Sequence, residues 1–212
     1  PIFARIVMAI EQCALEHGYE LILHHSWNEP EREKTILENL ISRRVDGIFL
    51  SPVYRMESEV SAYRKLKKRG IPTVIMGPLT EFCKDFVNVQ TLGNESAFSM
   101  TQHLIELGHK RIAFFAGPRF SARAISRQEG YVRALRENGI DEDPSLVFNG
   151  GTTIIEGSNA AKHFLEEKTK ATAIQTVNDL VAIGAANVFL DQGLKIPDEL
   201  SIAGFGNILS SE

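Results

Sequence analysis

The sequence predicts an α/β protein of two doubly wound parallel-sheet lobes, and three observations carry that expectation. Short apolar runs of strand length recur along the chain, among them Asp46 to Leu50, Pro72 to Met76 and Arg111 to Phe115. Runs of this kind are what parallel strands covered on both faces require. Segments with helical spacing separate them, and strands alternating with helices imply parallel pairing through right-handed crossovers. A stretch rich in turn formers, Gly77 to Asn94, interrupts the rhythm before it starts again. The chain is therefore expected to form an N-terminal lobe, residues 1–88, and a C-terminal lobe, residues 89–212.

Taken in order, the first segment is a helix in which Ile6, Val7, Ile10, Cys13, Ala14 and Leu15 recur at helical spacing and Gly18 supplies the stop. The apolar setting of Cys13 predicts a buried thiol. Tyr19 to His24 reads as a strand, followed by the polar turn Ser26 to Pro30 and a helix through Leu37, Leu40 and Ile41. A strand ending at Leu50, a charged helix ending at Arg69 and the strand Pro72 to Met76 complete the first series. The second series has a helix ending at Gly108, a strand to Phe115, a helix around Arg127 to Asn138 and a strand near Leu146 to Phe148. Thr153-x-x-Glu156 fits a capping box and opens the next helix. The strand Thr172 to Thr176, the helix Asn178 to Asp191 and the strand Leu200 to Ala203 follow. A doubly wound sheet ordinarily opens on a strand that becomes central, whereas this chain opens inside a helix and stops soon after a strand. It is expected to be truncated at both ends.

Composition narrows the function. A net charge of −4 over 212 residues argues against this segment gripping a phosphate backbone, because nucleic-acid modules concentrate positive charge. Cys13 and Cys83 have no metal-ligand spacing, the six histidines pair with no ligand at such spacing, and neither a metal nor a cofactor is expected. No apolar run reaches the roughly 18 residues of a membrane span, and no signal peptide is visible. Nucleophile-elbow, phosphate-loop, dinucleotide and zinc-protease motifs are all missing, which argues against an enzyme and leaves no catalytic residue to name. In open α/β sheets ligands bind beyond the carboxyl ends of strands. The informative residues are then Ser26, Trp27, Asn28, Ser51, Pro52 and Tyr54 in the first lobe, and Gly117, Pro118, Asn178, Asp179, Gly206 and Asn207 in the second.

Eight segments in order carry a resemblance. They are Ile2-Phe3-Ala4, Arg43 to Ile48, Gly70 to Val74, His103 to Ala113, Arg127-x-x-Gly130-Tyr131, Thr172 to Ile174, Asn178-Asp179-x-x-Ala182-Ile183-Gly184, and Ile196 to Phe205. Together they resemble the effector-binding core of the LacI/GalR family of bacterial transcription regulators, over nearly the whole chain. The resemblance implies the fold of type I periplasmic binding proteins, whose lobes close over a small polar effector, a sugar or a sugar derivative. It further implies a cytoplasmic homodimer that reaches operator DNA through an N-terminal helix-turn-helix module absent from this chain. Val7, Met8 and Cys13 on the first helix are candidates for the dimer contact, since that helix is more apolar than one buried face needs. A periplasmic sugar receptor of the same fold is the alternative, and a sugar- or nucleotide-processing enzyme on a Rossmann-like scaffold is the rival from another class.

The resemblance also marks site residues. Arg127 matches a cleft arginine that grips hydroxyls or carboxylates bidentately. It is expected at the opening of its helix in an open, hydrated cleft, so that its loss weakens binding more than stability. Asn178 matches a position that hydrogen-bonds the effector, while Asp179 either joins it or caps the following helix. Phe3 matches an aromatic wall of the cleft, and Gln175 a strand-end position that faces ligand in some relatives. Trp27, the only tryptophan, is placed either to stack on a sugar or to serve structure. Two departures stand out: Gly206 follows Gly204-Phe205 where the family usually has aspartate, and Gln90 to Asn94 replaces a common Asp-Asn pair. Fewer carboxylates leave fewer acceptors for a neutral sugar, which points to an acidic, phosphorylated or otherwise unusual effector.

Overall fold

The computed structural model describes residues 2–53 and 60–208; Tyr54 lies outside them. Its α/β class agrees with the sequence: every strand pairing among the described residues is parallel, and helices alternate with strands. The chain divides into two compact units, one of Val7–Thr91 and one running from Leu92 that also takes in the start of the first helix up to Ile6.

In the Val7–Thr91 unit, β1 (Ile48–Leu50), β2 (Thr73–Met76) and β3 (Val87–Val89) form a sheet of order β1-β2-β3. Helix α2 (Pro30–Ser42) starts with proline at its first turn and carries Glu31 and Glu33 there, where the missing N–H and the positive helix end suit them. Helix α3 (Ser61–Arg69) ends on Lys67, Lys68 and Arg69 and stops at Gly70, whose φ of 66° is a left-handed cap. Leu37, Leu40, Tyr63 and Leu66 from these helices meet Ile48, Ile75 and Cys83 in one core. Glu33 is buried within it, accepting from the Val53 N–H and the Tyr63 hydroxyl, each at 2.6 Å.

Three expectations fail in this unit. Tyr19–His24 forms no strand; it is irregular and exposed, with Leu23 66% accessible, because no described strand lies beside it to accept its ladder. Residues 87–89, read as linker, form β3, and the Asn88 side chain donates to the Ile75 carbonyl at 3.1 Å and the Gly77 carbonyl at 2.7 Å, fastening the strand to β2. Helix α1 (Ile2–Glu16) forms as expected, yet Cys13 on it is exposed rather than buried. Helical spacing tells which residues share a face, not whether anything covers it. Both cysteines are free.

The larger unit has β4 (Ile112–Ala116), β5 (Val147–Asn149), β6 (Ala173–Thr176) and β7 (Ser201–Ala203) in the order β5-β4-β6-β7. Its helices are α4 (Gly93–Glu106), α5 (Ala122–Glu137), α6 (Ile154–Glu166) and α7 (Asp179–Asp191). Alternation along β4 sends Ala113 and Phe115 into a core with Ala160, Phe164, Val181 and Phe189 of α6 and α7. Ile112, Phe114 and Ala116 go to a second core with Leu104, Tyr131 and Leu135 of α4 and α5. Both faces are covered, as the sequence required. Contact between α4 and α5 depends on Gly130, where a Cβ would lie 2.1 Å from the Asn94 carbonyl oxygen. Thr153 and Glu156 close the expected capping box.

Candidate functional site

In the larger sheet β4 leads through α5 to β5 on one side, whereas β6 lies on the other side of β4. The loops after β4 and β6 therefore part, and the crevice beyond such a divergence is where open α/β sheets hold ligands. Ser121 caps α5 by accepting from the Ala124 N–H at 3.3 Å. The helix thus begins five residues before Arg127, which sits in its second turn and not at its opening.

From the helix that follows β4, Arg127 reaches the loops beyond β6 and β7. One terminal guanidinium nitrogen donates to the Val177 carbonyl just past β6, and the guanidinium lies over the Phe205 ring with its carbon 3.5 Å from the centroid. The side chain is 9% exposed and its Nε is buried without a hydrogen-bond partner among the described residues. Burial, then the neighbouring Arg123, push its pKa down to about 10, against the pull of Asp179. The expectation of an open, hydrated cleft around Arg127 is thus corrected: truncation here would strip a buried carbonyl of its donor and leave a void.

Asp179 fixes the loop after β7. Its carboxylate accepts from the Ile208 N–H at 2.9 Å and its own N–H donates to the Phe205 carbonyl at 3.2 Å, with the residue 5% exposed. This arrangement accounts for Gly206. Its φ is 131°, disfavoured for any L side chain, and a Cβ would lie 3.2 Å from the Asp179 carboxylate. An aspartate there would be strained and would set a second carboxylate against the first. Ser96, Met100, Asp179 and residues 204–207 line a crevice of about 420 Å³ at this edge.

The other anticipated residues fall in different places. Asn178, not Asp179, is the N-cap of α7: its side-chain oxygen accepts from Val181 N–H at 2.9 Å, and its Nδ2 donates to the Thr152 carbonyl at 3.1 Å. Gln175 is turned away from the loops. Two residues beyond Ala173 on the pleat, it faces α4, where Thr101 donates to its oxygen at 2.5 Å and its Nε2 donates to the Ala97 carbonyl at 3.1 Å. Phe3 lies under Arg123, whose guanidinium carbon is 5.6 Å from the ring centroid. The reading of single positions passed over Arg123 and Phe205. The signal was a run from Ile112 to Gln128 holding Arg119, Arg123 and Arg127 and no carboxylate.

Trp27 belongs to the other unit and is 64% exposed. Trp27 and Asn28 have φ of 56° and 62°, and the turn closes through Glu29 N–H to the Ser26 carbonyl at 3.0 Å. A left-handed bulky residue is strained by about 1 kcal/mol or more. The His25 ring supports it: Nδ1 accepts from the Trp27 N–H at 2.8 Å, and the two ring centroids are 4.6 Å apart. Among the described residues no cluster of three or more His, Cys, Asp or Glu could hold a metal ion, and no helix is long and apolar enough to cross a membrane.

With this geometry in hand, similarity to known proteins is informative. The chain is 34% identical to the HTH-type transcriptional repressor CytR of Escherichia coli (strain K12), covering 98% of this chain and 60% of that protein. It is 32% identical to the HTH-type transcriptional repressor PurR of Pasteurella multocida (strain Pm70), covering 100% of this chain and 62% of that protein. The chain thus spans less than two thirds of the length of either repressor. Among solved structures, a sugar-binding transcriptional regulator of the LacI family from Escherichia coli, complexed with phosphate, superposes with a TM-score of 0.83 at 27% identity, covering 98% of this chain and 73% of that one. Residues 1–209 match the model of a family described as periplasmic binding proteins and the sugar-binding domain of the LacI family. Fold and sequence agree, and the chain belongs to that family.

Proposed function

We propose that this chain is the effector-binding core of a bacterial transcription regulator, that it takes a small polar effector, a sugar or sugar derivative, and that its two compact units are the lobes expected from the sequence. The observation that carries the site is Arg127, held against the loops beyond β6 and β7 with a buried donor that no described residue satisfies. Asp179 and Asn178 support it from behind by fixing the loops, and Phe3 and Phe205 supply aromatic faces on either arginine. The relatives named above are repressors and a regulator, which favours this reading over a transport receptor or an enzyme. The superposed regulator was solved with phosphate and is described as sugar-binding, which agrees with a small polar occupant.

The rest of the reading follows the family resemblance. The intact protein is a cytoplasmic homodimer that meets operator DNA through a helix-turn-helix module outside this chain. No described residue of α1 is buried, and Met8 and Leu15 are 67% and 70% exposed, so this helix offers the apolar surface that a second copy would cover. An effector acts only as far as it prefers one arrangement of the protein over another. The test is a thermal-shift screen of the full-length protein against sugars, sugar phosphates, sugar acids and nucleosides, followed by operator binding with and without each hit. A hit that changes operator affinity is expected; a protein that responds to none, or turns one over, overturns the reading. Sedimentation of the same protein should show a dimer at micromolar concentration.

A further inference from the structure

We propose that Arg123 and Arg127 together form an oxyanion subsite, so that the effector carries a phosphate or carboxylate group rather than hydroxyls alone. The proposal rests on the effector-binding reading and specifies its ligand class. Its warrant is an arrangement of charge that is unfavourable in three ways at once and that one bound anion would relieve.

The two arginines lie four residues apart on α5, a spacing at which like charges face each other and repel. Both occupy the first two turns of that helix, its positive end, and no acidic residue stands in the first turn to offset them. Both are also withdrawn from water. Arg127 is buried, Arg123 is half-buried, and burial lowers the pKa of each. Such charge is ordinarily paired with a carboxylate, yet among the described residues neither arginine forms an ion pair. The one carboxylate whose field reaches Arg127 is Asp179; it forms no ion pair with Arg127 among the described residues, and one of its oxygens accepts from the Ile208 N–H. Position 206, where a second carboxylate would fit the family pattern, holds glycine.

What the arginines touch instead leaves donors open. Arg123 lies over Phe3, and Arg127 over Phe205. Stacking on a ring uses the face of a guanidinium, which among the described residues leaves the N–H edge of Arg123 free for a planar, bidentate contact, while one terminal nitrogen of Arg127 already donates to the Val177 carbonyl. Arg127 has an Nε that no described residue satisfies. A neutral sugar would satisfy donors but not charge; an oxyanion supplies both charge and acceptors.

The test uses the full-length protein and calorimetric titration with four probes: inorganic phosphate, glucose 6-phosphate, gluconate and glucose. The phosphate and carboxylate arms separate the two sources of negative oxygen. At least one anion is expected to bind, tighter than glucose by about tenfold or more, with affinity falling as chloride rises. Arg123→Gln is the deciding variant, because among the described residues Arg123 makes no hydrogen bond: it should lose about tenfold or more in anion affinity while melting, without ligand, like the wild type. Arg123→Lys should retain part of the affinity. Absence of binding by all three anions, or anion binding that Arg123→Gln leaves unchanged, would overturn the subsite. Glucose binding equally well to wild type and Arg123→Gln, with no anion response, would overturn the subsite and leave the effector-binding reading standing.

Discussion

The two sheets are written in similar sequence and end in different surroundings. All five residues of β4 and all four of β6 are buried, because alternate side chains enter two separate cores. In β1 only Ile48 is buried, Phe49 is 54% exposed, and β3 shows Val87 and Val89 to solvent at 67% and 64%. Ile48-Phe49-Leu50 is as apolar as Ile112-Ala113-Phe114. An apolar strand states a demand for two covered faces; whether the second is met depends on what lies over it. The covered sheet also carries the arginine site, so rigidity and the candidate chemistry coincide in one unit.

The largest effect should come from the covered sheet. Phe114 is fully buried and stacks on Tyr131 with centroids 4.9 Å apart. Phe114→Ala is expected to lower stability by about 3–5 kcal/mol, as emptying a packed aromatic site does. Urea unfolding followed by far-UV circular dichroism would measure it. A loss under about 1 kcal/mol would mean that this core relaxes around the void, and the contrast between the sheets would weaken.

Gly130→Ala should come next. The added methyl would meet the Asn94 carbonyl, a backbone atom of α4 that cannot rotate away. The helices must separate, at a cost of about 1–3 kcal/mol or more. Because Arg127 lies three residues earlier on the same helix, the displacement should also weaken effector binding, and titration of the same variant would show it. Intact binding in a destabilised protein would instead assign the close approach to stability alone.

Much of this was legible and some was not, for physical reasons. Most strand and helix positions in the second series were read to within a few residues, because apolar runs, Thr153 and the turn glycines act locally; the start of α5, five residues before Arg127, was missed because the Ser121 cap was passed over. The strand at 87–89 escaped because Val-Asn-Val is short and it is defined by its ladder to β2, reinforced by the Asn88 side chain, contacts 11–13 residues away in sequence. Tyr19–His24 was misread for the opposite reason: a strand exists only with a partner, and propensity cannot supply one. At the site, the identity of Arg127 was visible but not its burial. Gln175 was assigned to the wrong surroundings because the pleat fixes which residues share its face, while only packing shows that α4 covers that face.

A smaller effect tests local structure in the covered unit. Glu156 accepts from the Thr152 N–H, the Thr153 N–H and the Thr153 hydroxyl at 2.8–3.0 Å, and these bonds, the Thr152 N–H first, hold its pKa below the ordinary glutamate value of 4.5. Thr153→Ala should cost about 1 kcal/mol through the lost cap. The sign of the pH dependence follows from the depressed pKa. The stabilisation is complete above the unfolded glutamate pKa and disappears as pH falls through the folded value. Glu156→Gln removes the charge while keeping an acceptor, so its melting temperature should lie below wild type near neutrality and converge with it in acid. A gap that persists unchanged in acid would assign the effect to packing.

The smallest expected effect is the one that decides the comparison. Phe49 and Phe114 are both phenylalanines inside parallel strands, each with a partner strand in register. Phe114 touches a core on its face of the sheet, whereas Phe49 lies on the face opposite Ile48 and is more than half accessible. Burial, not strand membership, sets the cost of truncation, since transfer free energy scales with the area removed from water. Phe49→Ser should therefore change stability by no more than about 0.5–1 kcal/mol, the part owed to strand propensity and residual contact. The measurement is the same urea titration, run on dilute full-length protein so that association does not mask it. If Phe49→Ser proves as costly as Phe114→Ala, something covers that face in the intact protein, and the difference between the sheets belongs to this segment of the chain rather than to the whole molecule.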